Sequence, residues 1–104
     1  MFKILKTMFS NKEDNLSQII NDGAFLVDVR SPLEFSSEKI KGSVNIPVDQ
    51  IYKHLAKFKD KKNIVVFCRS GARSSQAKAI LERNGITNVT NGGTYQNVES
   101  LLTK

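Results

Sequence analysis

Ile64-Val65-Val66-Phe67 is an unbroken apolar run in which three of four residues are β-branched, and it ends abruptly in the polar stretch Cys68-Arg69-Ser70-Gly71-Ala72-Arg73-Ser74. A strand with no polar face must be covered on both sides, which is the situation of a parallel sheet flanked by helices. Ala24-Phe25-Leu26-Val27-Asp28-Val29 has the same nearly continuous character. Helical patterns fall between such runs. Leu16, Ile19 and Ile20 recur at helical spacing before Asn21-Asp22-Gly23, and Ala77, Ile80 and Leu81 face inward from a helix that Asn84-Gly85 closes. Strands alternating with helices over short connections predict an α/β/α three-layer domain around a mostly parallel sheet.

The remaining segments fit that frame. Ser31-Pro32-Leu33-Glu34 reads as a capping box with proline at the first helical position, opening a short helix that runs to Ser36 or Ser37. Gly42 to Pro47 reads as a short strand ended by proline. Val48, Ile51, Tyr52, Leu55 and Phe58 mark one face of a helix, beside which His54 is an ordinary surface or boundary histidine. Ile86 to Thr90 reads as a further strand, Gly92-Gly93 as a loop, and Tyr95, Val98, Leu101 and Leu102 as a last helix. At 104 residues the chain is one domain, divided into an N-terminal arm or short strand over residues 1–11 and the domain proper over 12–104.

The formal charge of +6 raises the question of an anionic partner. Lys57, Lys59, Lys61 and Lys62 gather at one helix end and the turn after it, where they read as a solvated cluster complementing the helix dipole. The chain has no Trp, and no aromatic residue is interleaved with that cluster, so no stacking platform for nucleic acid is visible. No stretch approaches the roughly twenty apolar residues of a membrane span, and residues 1–9 lack the apolar core and cleavage site of a signal peptide. The expectation is a cytoplasmic chain with no stable membrane insertion.

The single cysteine excludes an internal disulfide, a paired-cysteine metal knuckle and a resolving thiol within the chain, and the sequence calls for no metal or other cofactor. Cys68 follows a buried strand and precedes a helix, the place where open α/β sheets bind ligands. Ser70, Gly71 and Ser74 let the backbone curl so that its N–H groups converge, and Arg69 and Arg73 add positive charge. The same field favours the thiolate, the nucleophilic form. Cysteine phosphatases use a Cys-x5-Arg cradle for the phosphoryl group, whereas Cys68 to Arg73 is Cys-x4-Arg. The tighter ring suits a sulfur atom held as a persulfide.

Taken together, three stretches and a glycine pair resemble a single-domain rhodanese, the thiosulfate sulfurtransferase-like family. They are Asp28-Val29-Arg30 with Glu34-Phe35, Ile40-Lys41-Gly42-Ser43-Val44-Asn45-Ile46-Pro47, the loop Cys68–Ser74, and Gly92-Gly93 downstream. The resemblance implies a rhodanese-like sheet of about five strands and a ping-pong reaction. In it, Cys68 is the catalytic nucleophile that takes sulfur from thiosulfate or a similar small anion. A thiol, cyanide or a protein sulfur acceptor then removes it. Arg69, Ser70, Gly71, Ala72, Arg73 and Ser74 would bind the donor, while Asp28 and Arg30 support the loop as a buried ion pair. Two positions depart from the family: Lys39 replaces the usual His, and the Trp that commonly follows the glycine pair is replaced by polar residues around Asn97. Four readings compete: the enzyme, a protein-to-protein sulfur carrier or interaction module, a phosphatase or arsenate reductase, and a redox-sensing thiol.

Overall fold

The computed structural model describes residues 11–102. Its elements are α1 (Asn11–Asn21), β1 (Phe25–Asp28), α2 (Pro32–Ser37), β2 (Val44–Asn45), a 3₁₀ segment (Val48–Phe58), β3 (Ile64–Cys68), α3 (Ala72–Arg83), β4 (Val89–Thr94) and α4 (Tyr95–Leu101). Four strands form one sheet in the order β2-β1-β3-β4, and every pairing is parallel. This is the expected α/β architecture. The arm expected over residues 1–11 lies outside the described residues except for Asn11, which opens α1.

The sheet separates two apolar layers. Ile64, Val66 and Cys68 of β3 join Val27, Ile51, Phe58, Ala77 and Leu81 on one side, and Val65 and Phe67 join Leu16, Ile20, Leu26 and Val98 on the other. The alternation follows from the pleat, which sends successive side chains to opposite faces. All five residues of β3 are buried. Each aliphatic side chain removed from water in this way contributes on the order of 2 kcal/mol, so β3 is the spine of the domain.

Two expectations are corrected here. The strand read at Ile86–Thr90 lies at Val89–Thr94, and Gly92-Gly93 belongs to it rather than to a loop. The pairing with β3 steps from Val66↔Asn91 to Phe67↔Gly93, leaving Gly92 as the extra residue of a bulge. A Cβ at Gly92 would come within 2.7 Å of Val98 and 2.9 Å of Val65, so only glycine lets α4 pack this closely on the sheet. Ile86, buried although outside the strand, donates its N–H to Leu81 and helps close α3.

The second correction concerns Val48–Phe58, which is 3₁₀ with a kink at His54 rather than one α-helix. Three residues per turn place Val48 with Ile51 and Leu55 with Phe58 against the core, and leave Tyr52 57% exposed. His54 is half-buried at the kink. Among the described residues no helix is long and apolar enough to cross a membrane.

Candidate active site

β3 carries Cys68 to the carboxyl end of the sheet, at the centre of the strand order. Gly71, at φ 97°, turns the chain into α3, a left-handed conformation that glycine adopts without strain. The polar stretch read as a seven-residue loop is therefore shorter: Ala72, Arg73 and Ser74 form the first turn of α3. The turn folds back on the sulfur. Gly71 N–H lies 3.0 Å from Cys68 Sγ and Ser74 Oγ lies 3.5 Å from it. Cys68 itself is 0% exposed.

Burial pushes the Cys68 thiol up. Against it, the Ser74 hydroxyl and the backbone N–H groups of Ser74, Gly71 and Ser70 stabilise the thiolate, and the net direction is down. The convergence of N–H groups expected from the glycine and serines is thus present, and it acts on the sulfur.

The two loop arginines are not equivalent. Arg73 forms a bidentate pair with Glu34, Nη1 to Oε1 at 2.7 Å and Nη2 to Oε2 at 3.1 Å, with the side chains 34% and 25% exposed. Glu34 also accepts from the Ser31 N–H at 3.0 Å in the capping box. One carboxylate therefore closes the start of α2 and ties it to α3. Arg73 and Ser31 hold its carboxyl down from the usual 4.5 to about 2. Arg69 is exposed and lines a cavity of about 230 Å³ with Arg30, Glu34, Glu38 and Tyr95.

Asp28 and Arg30 make the expected buried pair, with Nη2 and Oδ2 at 2.7 Å and exposures of 0% and 4%. Arg30 Nε also donates to both Asp28 oxygens, at 3.0 and 2.9 Å, and Nη2 donates to the Glu38 carbonyl. The guanidinium stacks under Tyr95 at 4.4 Å, and the Tyr95 hydroxyl bonds Glu38. The pair thereby locks the turn after β1 to the start of α4. Among the described residues, no group of three or more His, Cys, Asp or Glu side chains is placed to hold a metal ion.

Residues 12–96 match the model of the Rhodanese-like domain family. The chain belongs to that family. This rhodanese-like domain is 35% identical over 74 residues to the thiosulfate sulfurtransferase PspE of Escherichia coli (strain K12), covering 69% of this chain and 71% of that protein. It is 35% identical over 80 residues to a sulfurtransferase of Allochromatium vinosum, covering 75% of each. Its fold superposes with a TM-score of 0.65 on a rhodanese from E. coli solved with anions, at 34% identity, covering 72% of this chain and 91% of that one.

The two departures from the family pattern take defined places in this rhodanese-like domain. Lys39 is exposed, with its Nζ 5.4 Å from the centre of the Phe35 ring. Asn97 donates to the Gly92 carbonyl at 2.9 Å and borders an apolar cavity of about 490 Å³ between α1 and β4. Sequence reasoning missed Glu38, Tyr95 and Asn91 as members of the site. Asn91 accepts from the Ser74 hydroxyl at 2.7 Å, and its one signal was a polar residue next to the glycine pair.

Proposed function

We propose that this domain is a sulfurtransferase that takes a sulfane sulfur from thiosulfate through a Cys68 persulfide. The observation that carries the reading is the Gly71 N–H aimed at a sulfur that its surroundings favour as thiolate. The sulfurtransferase names of its relatives support the same reaction class. The Cys68 thiolate attacks the outer sulfur of thiosulfate, the bond to the sulfonate sulfur breaks, and sulfite leaves with the electron pair. A thiolate or cyanide then attacks the outer sulfur of the persulfide and regenerates the Cys68 thiolate.

Each neighbour has a role set by its geometry. Arg69 supplies the exposed cation for the donor and for the departing sulfite. Ser70, Gly71 and Ser74 direct N–H groups at the reacting sulfur. Arg73, held by Glu34, positions the first turn of α3 rather than embracing the donor, and Ala72 offers a small side chain beside it. Asp28 and Arg30 brace the turn from β1. The test is intact-mass measurement after incubation with thiosulfate. A gain of one sulfur atom that cyanide removes and that Cys68→Ser lacks is expected; no gain in the native chain sinks the proposal.

A further inference from the structure

The Ser74 hydroxyl has one proton and three neighbours that can take it: Cys68 Sγ at 3.5 Å, the Gly71 carbonyl at 3.0 Å and Asn91 Oδ1 at 2.7 Å. The orientation of Asn91 is fixed independently. Its Oδ1 accepts from the Gly93 N–H at 2.9 Å, a group that can only donate, and its Nδ2 donates to Ser75 Oγ at 2.9 Å. The bulge at Gly92 brings about this clamp by turning the Gly93 N–H back onto the Asn91 side chain.

We infer that Asn91 is a positioning residue that holds the Ser74 proton away from Cys68 while the sulfur is uncharged and yields it when the thiolate forms. When Cys68 is a thiol, S–H donates to Ser74 Oγ and Ser74 donates to Asn91. When it is a thiolate, the hydroxyl turns to donate to Sγ, and Asn91 keeps the Gly93 N–H as its partner. Resting on the persulfide reading above, the same exchange serves sulfur discharge. Water protonates the persulfide anion left by loading; an acceptor thiolate attacks its outer sulfur, a new S–S bond forms to the acceptor, and the Cys68–sulfur bond breaks. The electron pair goes to Sγ, while the proton stays on the transferred sulfur. Sγ carries no charge in the persulfide and regains it as that bond breaks, when the Ser74 proton is one rotation away.

Other ionisable groups surround this end of the sheet: Asp28 and Arg30 after β1, Glu34 and Glu38 around α2, Arg69 and Arg73 around α3, and Tyr95 on α4. None of them hydrogen-bonds Ser74 or Asn91 among the described residues, so the exchange is separable from them by mutation.

The test is a pH titration of the thiolate absorbance with the Cys68→Ser titration subtracted, which separates the one cysteine from the two tyrosines and needs no sulfur donor. Asn91→Ala is expected to release the Ser74 proton to sulfur and raise the thiolate fraction about threefold on the acid side of the transition. Ser74→Ala lowers it by a similar factor, and Asn91→Ala added to Ser74→Ala changes nothing further. An equal Asn91→Ala effect with and without Ser74, or a fall in thiolate on Asn91→Ala, overturns the inference. Asn91→Asp covers the case in which the alanine variant does not fold. Its retained and stronger acceptor should lower the thiolate fraction more in the native Ser74 background than in Ser74→Ala, and equal lowering also overturns the role. Failure of sulfur loading in the mass experiment would remove the discharge step and leave this titration intact.

Discussion

The two ends of β3 are both basic, but only one is organised around a point. At the amino end, Lys57, Lys59, Lys61 and Lys62 stand exposed. Asn88 fixes the turn there by donating to the carbonyls of Lys61 and Lys62, and the Lys61 ammonium lies 4.6 Å from the centre of the Phe25 ring. The backbone is held and the charges remain in solvent. At the carboxyl end, two arginines are locked by carboxylates, backbone N–H groups converge on one sulfur, and Arg69 is left exposed beside it. Positive charge is therefore cheap to place, and what distinguishes a site is the pairing that prevents most of it from wandering.

The comparison breaks first on stability. Arg30→Ala leaves Asp28 buried without its partner and is expected to cost about 3–5 kcal/mol, whereas Lys59→Ala should stay within about 0.5 kcal/mol. Urea unfolding of both variants measures the contrast, and similar losses would mean that the two ends do not differ in this way. A smaller effect concerns donor use. Arg69→Ala should lower kcat/KM for thiosulfate by about tenfold through loss of a charge-assisted contact, mostly in KM, while Lys59→Ala leaves it unchanged. Steady-state rates at fixed ionic strength decide this, and equal losses would make overall charge the recruiter.

The smallest effect sharpens the role of the locked arginine. Glu34 has its carboxyl lowered from 4.5 to about 2 when folded, so its contribution to stability is complete above 4.5 and fades as pH falls from there toward 2. The stability gap between the native chain and Glu34→Gln should be constant near neutral pH and close over that acid range. A gap independent of pH would show that the Glu34–Arg73 pair contributes no charge-dependent stability.

Much of this was legible in local patterns. β3 was readable because four apolar residues in a row admit few other fates, and the capping box because Ser31 and Glu34 lie three residues apart. The second task of Glu34 was hidden, since its partner Arg73 is 39 residues away and only the fold brings them together. Composition offers both loop arginines as donor ligands, and it counts charges but not partners, so it does not show that Arg73 is paired with Glu34 while Arg69 is exposed. The shift of β4 has a different cause. Glycine weakens a strand, so Gly92-Gly93 read as a loop, but here the bulge and the close packing of α4 require it. Asn91 escaped notice for the same reason, as its partners Ser74, Ser75 and Gly93 meet only once that strand is paired.

The complete burial of the chain's one thiol bears on what happens when two copies collide. A disulfide between copies requires the two backbones to come within about 7 Å of each other, and a sulfur enclosed by its own turn keeps a second folded backbone farther away than that. Crosslinking between copies is thus blocked by shape rather than by a reducing environment. On the proposed reaction, a partner that takes sulfur from this domain has to present a slender, protruding nucleophile.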